Sequence, residues 1–218
     1  MTADGMKLPD HEAIYRRIRD MVLFGEFAPG EAVTIMGLTG AIGAGMTPVR
    51  ESIRRLTAEG ALEALGNRRV CVPHISPATL AQISHARLAV EPHLALLAAE
   101  KMNAATLVDL RDLDGRLDAA IERGNVEGYL EYNYRFHFRL YNAAEAPVLT
   151  RIAQSLWLQI GPALRIVCGL HGTSNLPDKH HEALDALRDG QPEAAARAIH
   201  DDIAQGMDLV RQSLPGVA

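Results

Sequence analysis

Two prolines stand within five residues in Val72-Pro73-His74-Ile75-Ser76-Pro77, and no continuous helix runs through such a segment. The break divides the chain into two parts with different patterns. Ahead of it, apolar residues at helical spacing give way to short strand-like runs. Behind it, helical spacing continues to the end with no strand pattern. Ser76 and Pro77 read as the N-cap and first residue of the helix that follows.

The first part reads as three helices and a hairpin. A helix is expected over about 10–25, with Ile14, Ile18, Met21 and Val22 on one stripe. Phe27-Ala28-Pro29-Gly30 is a turn. A second helix follows Thr34 as its N-cap, carries Ile35, Leu38 and Ile42, and breaks at Gly43 to Gly45. A third starts with Thr47 as N-cap and Pro48 in first position and runs to about Glu59, where Gly60 ends it. Strands over Leu62–Leu65 and Val70–Val72 flank Gly66-Asn67-Arg68. This order is that of a winged helix-turn-helix, assigned to 8–74. Helices near 77–101, 104–123, 126–144, 147–170, 178–189 and 192–213 then make 76–214 an all-helical bundle, with Pro147 and Pro192 in first turns. The expected fold class is mainly α, and facing helices of such a bundle can enclose a pocket.

The third helix carries the most informative chemistry. Val49, Ile53 and Leu56 form an apolar stripe that would pin it to its neighbours, while Arg50 and Arg54 share another face. A helix N-terminus with Thr47 and arginines suits phosphate contacts through free N–H groups and base contacts through guanidinium. A plain surface helix with solvated arginines reads the same way in isolation. The short helix before it and the hairpin after it favour the reader.

Charge bears on this. The net charge of −5 argues at first against nucleic acid, but its distribution does not. Residues 1–75 hold nine basic and nine acidic side chains, and the remainder thirteen and eighteen, so the acidity lies in the bundle. Gly43 to Val72 holds five arginines against three glutamates, a modest basic patch. With 48% apolar residues the chain can bury a core. The start, MTADGMKLPDHE, has neither the basic cluster nor the apolar run of a signal peptide, and no stretch reaches the roughly 18 apolar residues of a membrane helix. A cytoplasmic protein is expected, with Cys71 and Cys168 as free thiols.

Gly25-x-x-x-Pro29-Gly30-x-x-Val33, followed by Thr47-Pro48-Val49-Arg50-Glu51-Ser52-Ile53-Arg54-Arg55-Leu56-x-x-Glu59-Gly60, resembles the winged helix-turn-helix of GntR-type regulators. The helical part resembles the FCD effector domain of their FadR-like subgroup, and the likeness runs from about 11 to 213. The resemblance implies that the third helix enters the major groove of a double-stranded operator. Thr47 and Arg50 would contact DNA there, and Asn67 and Arg68 of the wing would lie over the adjacent groove. Two departures stand out. The family has Ser-Arg before this core where the chain has Gly45-Met46, so one cationic contact is absent. Arg69 replaces a wing glycine.

Within the bundle, Asn133 and His137 lie four apart on a face shared with Tyr129, Phe136 and Leu140. His180 is in phase with Leu184 and Leu187, and Asp202 with Ile199, Ile203 and Gly206. Polar groups aimed into a core need partners, and a buried carboxylate is costly unless paired or metal-bound. Asn133, His137, His180 and Asp202 from three helices could hold a divalent ion such as Zn or Ni with open positions. A metal-free effector pocket and a hydrogen-bonded structural cluster are the alternatives. Family members with a metal use Asp and His at the first two positions and two histidines at the others, so two of the four residues differ here. His181 and His200 fall out of phase and read as surface. Arg87 and Glu91 match an Arg-x-x-x-Glu pattern of the family. They are either a surface i,i+4 pair or a guanidinium, Arg87, reaching a carboxylate effector.

The reading that joins these features is a ligand-responsive regulator, expected to repress. It would bind a palindromic operator as a homodimer and answer to a small organic acid. A metal-dependent enzyme built on the bundle is the competing class, but no nucleophile–base set or H-E-x-x-H motif supports it. A helical interaction protein without effector would require a fully packed core.

Overall fold

The structure is a computed structural model, and it describes residues 10–66, 69–171 and 178–214. Three helices lead, α1 (Asp10–Leu23), α2 (Ile35–Ile42) and α3 (Met46–Ala58), followed by strands β1 (Glu63–Leu65) and β2 (Arg69–Cys71). Six further helices are α4 (Pro77–Glu100), α5 (Ala104–Glu122), α6 (Val126–Ala143), α7 (Pro147–His171), α8 (Lys179–Arg188) and α9 (Pro192–Ser213). Among the described residues no helix is long and apolar enough to cross a membrane.

The local signals act where expected, with one shift. Thr34 caps α2 by accepting the Gly37 N–H at 3.0 Å, and Gly43, at φ 71°, ends it. Ser76 caps α4 by accepting the Thr79 N–H at 3.1 Å, with Pro77 behind it. Thr47, however, is not the cap of α3. The helix begins at Met46 after an extended Gly45 that makes no side-chain cap bond. The first four N–H groups of a helix lack intrahelical partners, so a proline fits anywhere in that first turn. Pro48 therefore marks the first turn without fixing which residue opens it.

Val49, Ile53 and Leu56 of α3 are buried, as are Ile18 and Val22 of α1. The hairpin is antiparallel, pairing Glu63 with Cys71, Ala64 with Val70 and Leu65 with Arg69. Its strands sit one residue from the expected runs at both ends, because Leu62 and Val72 leave the ladder to fill the core. A bridge from Ala32 to Cys71 adds a third short edge. In the bundle, α4 lies along α9, α5 along α6, α8 along α9, and α7 packs on α4, α6 and α9.

Candidate functional site

On α3, Thr47, Arg50, Glu51 and Arg54 are exposed along one stripe, opposite Val49, Ile53 and Leu56. Arg50 is in no ion pair among the described residues. Arg54 pairs with Glu51 at 3.0 Å. Both groups are well exposed, so this pair contributes little and can open. Arg55 leaves the stripe: it pairs with Glu12 and Glu59, each at 3.0 Å, and lies over the Tyr15 ring. Met46 is 57% exposed at the start of the same helix. Asn67 and Arg68 lie outside the described residues.

Inside the bundle three helices bring His137, His180 and Asp202 together. One ligand-type atom from each lies within 4.8 Å of the others. His137 Nε2 is 3.1 Å from Asp202 Oδ2 and 3.3 Å from His180 Nε2. Their outer nitrogens are held by other groups. The Tyr141 hydroxyl donates to Glu91 at 2.7 Å, which leaves its oxygen to accept from His137 Nδ1–H at 2.9 Å. His180 Nδ1 faces Asp114 Oδ1 at 3.3 Å. That oxygen is off the line of a hydrogen bond and has no other partner among the described residues.

With both outer nitrogens protonated, the two Nε2 lone pairs and the Asp202 carboxylate converge on one point. Three acceptors meeting in a buried space repel unless a proton or a cation lies between them. Carboxylates outnumber cations here: Glu91 is paired with Arg87, while Asp202 and Asp114 face the two imidazoles, and a divalent cation would offset that excess. A carboxylate behind a ligating imidazole is the usual support of a metal-bound histidine. The donor set therefore fits a divalent ion.

Electrostatics follow from these contacts. Burial lowers His137 below the ordinary imidazole range, and the bond to Asp202 only partly opposes it. Burial acts the same way on His180, but Asp114 and Asp202 outweigh it and hold His180 above that range. Burial would raise Asp202, yet His137, His180 and Arg87 hold it down at about 2.

Arg87 and Glu91 are not a surface pair. They are 2% and 0% exposed, because they continue the α4 stripe of Leu80, Ile83, Leu94 and Ala98. Arg87 Nε donates to Glu91 Oε1 at 2.5 Å and Nη2 to Oε2 at 3.2 Å, and the guanidinium lies 4.4 Å from the Trp157 ring centre. Trp157 Nε1 also donates to Glu91 Oε2, at 2.8 Å. Nη1 makes no bond to Glu91 and donates to the sulfur of Met207 at 3.8 Å. Arg87, Trp157, Tyr129, Asn133, Cys168 and Asp202 line a cavity of about 60 Å³. A water needs roughly 10–15 Å³ on this measure, so the cavity admits a small molecule. Asn133 thus lies beside the cluster at the cavity wall. His181 and His200 are half exposed or more and away from it. Sequence reasoning missed Asp114 and Tyr141. Asp114 was legible, since Leu110 and Leu117, four before and three after it, place it on the buried stripe of α5.

Comparison with known proteins bears on both parts. Residues 10–72 match the model of bacterial regulatory proteins of the gntR family, and 82–205 match the FCD domain. The HTH-type transcriptional regulator McbR of Escherichia coli is 25% identical over 198 residues, 89% of this chain and 90% of that one. An uncharacterized HTH-type regulator of Streptomyces ambofaciens is 31% identical over 205 residues, covering 87% and 83%. The solved structure of E. coli McbR/YncC superposes with a TM-score of 0.88 over 94% of this chain and 99% of its own, at 23% identity. A putative regulator from Rhodococcus reaches 0.75 over 94% and 98%, at 18% identity. These structural likenesses speak for the fold.

Proposed function

Because the chain belongs to the gntR family of bacterial regulatory proteins and carries an FCD domain, it is a transcription regulator rather than an enzyme, and we propose how it is controlled. It represses from a palindromic operator as a homodimer, and a small carboxylate effector entering the helical domain releases it. The reading head is 8–74 and the sensing part 76–214, working in the cytoplasm. Thr47, Arg50 and Arg54 face the operator, with Asn67 and Arg68 in the wing beside it. His137, His180 and Asp202 hold a divalent ion such as Zn or Ni, with Asn133 at its edge. When bound, such an ion supplies a fixed positive charge for an effector carboxylate. Nη1 of Arg87, which makes no bond to Glu91, is the second anchor for that carboxylate.

The observation that carries this reading is the convergence of three acceptor atoms beside a small cavity. The test is an operator titration by gel shift at fixed salt, with and without prior chelation. Chelated protein should change its operator affinity or its response to organic acids, and Arg50→Ala should lose roughly 1–3 kcal/mol of binding while keeping its fold. Unchanged binding by Arg50→Ala would remove that residue from the interface. Indifference to chelation would reduce the cluster to a metal-free pocket.

Met46 supports a second measurement. A bound phosphate releases condensed counterions, so each cationic contact steepens the dependence of affinity on salt. Met46→Arg should raise the magnitude of the slope by about one relative to wild type. Equal slopes would show that this position does not face the phosphates.

A further inference from the structure

Helix α7 touches the reading head at the ends of two helices. Ser155 Oγ donates to the Glu59 carbonyl at 3.2 Å, just past the end of α3. Arg165 Nη1 donates to the Phe24 carbonyl at 3.3 Å, just past the end of α1. The last carbonyls of a helix have no partner within it, and a cation there also meets the negative end of the helix dipole. Both contacts therefore satisfy groups the helices themselves leave open.

Three glycines make the approach close. A Cβ on Gly25, itself at φ 69°, would stand 2.5 Å from Arg165 Cδ, and one on Gly60 would stand 3.1 Å from the side chain of Gln159. A Cβ on Gly161 of α7 would overlap the carbonyl oxygen of Leu23, which is backbone and cannot swing aside. A Cβ here also crowds the ring of Pro162 within α7, but the overlap with Leu23 is the one that reaches across to the reading head. On turns of α7 before and after Gly161, Trp157, Leu164, Val167 and Cys168 line the cavity.

We propose that Gly161 is a positioning residue for operator recognition. By having no side chain it lets α7 seat the ends of α1 and α3, which fixes the direction of the recognition helix relative to the bundle. In a dimer joined through the bundle this sets the distance between the two recognition helices, so the inference rests on the two-fold operator reading. Two heads rigidly held at the right spacing bind a paired site far more tightly than one head binds a half-site. Loosely held heads lose that advantage and tolerate other spacings.

The experiment takes the operator that the wild-type protein selects from random duplexes. Gel shifts compare a single half-site, the paired site, and paired sites with one base pair added or removed. Wild type should favour one spacing sharply. Gly161→Ala should bind the half-site within about twofold of wild type, lose about tenfold or more on the paired site, and bind the three spacings nearly alike. The Ser155→Ala/Arg165→Ala double variant, which removes two hydrogen bonds without overlap, should move the same way and decides the matter if Gly161→Ala does not fold. Wild-type spacing preference in the folded variants overturns the proposal, as does an equal loss on half and paired sites. A wild type that gains nothing from pairing half-sites refutes the two-fold reading itself, and the positioning role with it.

Discussion

Glu91→Ala is expected to destabilise the helical domain by about 3–5 kcal/mol, the usual cost of leaving one half of a buried ion pair without its partner. Glu91 is fully buried, and three side chains depend on its carboxylate. The Arg87 guanidinium takes both oxygens, and the Tyr141 hydroxyl and Trp157 indole both donate to Oε2. Removing the carboxylate strands a cation and two donors in an apolar interior. A domain of this kind has about 5–15 kcal/mol in all, so a large share of the variant should be unfolded at mild denaturant. Glu91→Gln keeps an acceptor for Tyr141 and Trp157 but not the charge, and should fall between. Urea unfolding followed by Trp157 fluorescence measures both, and the chain has one tryptophan to report. A loss below about 1 kcal/mol for Glu91→Ala would mean that Arg87 finds another acceptor or that water enters the cavity.

The same pair shows what the sequence reveals and what it conceals. Arg87 and Glu91 four apart look like a solvated helical pair when read alone, but the spacing of Leu80, Ile83 and Leu94 around them marks the buried stripe of α4. The apolar neighbours carry the information, and the charged pair distracts from it. The phases of His137 and His180 were readable for that reason, because Phe136, Leu140, Leu184 and Leu187 surround them. Thr47 and Pro48 located the start of α3 only to within two residues, because any residue of a first turn tolerates a missing N–H. The seat of α7 on the reading head was not legible. Gly161 in a helical pattern signals only a weak helix position, and the carbonyl that needs the space belongs to Leu23, far away in sequence. Nor does the spacing of Asp114 alone say that its partner is His180 on another helix.

The second large effect concerns the ion. Protein purified without chelator should carry close to one divalent ion per chain. His180→Ala should lose it, whereas His181→Ala, whose imidazole is exposed on the other side of α8, should keep it. Asp114→Asn should weaken the ion by about 10–100-fold without abolishing it, as expected for a group that supports a ligand rather than acting as one. Acid should strip the ion through the histidines. Protonation fills the Nε2 lone pair, so binding is intact above the imidazole range and lost as the pH falls through it. Asp202, held at about 2, stays ionised across that window and does not contribute to the loss. Of the two imidazoles His180, held high by Asp114 and Asp202, takes the first proton. Elemental analysis after dialysis at stepped pH reads all of this. An ion lost from His181→Ala and kept by His180→Ala would reverse the inward face of α8. If wild type holds no ion, the replacements at Asn133 and Asp202 have converted a metal site into an ion-paired pocket. His137 and His180 would then share protons with Asp202, and the effector would meet Arg87 alone.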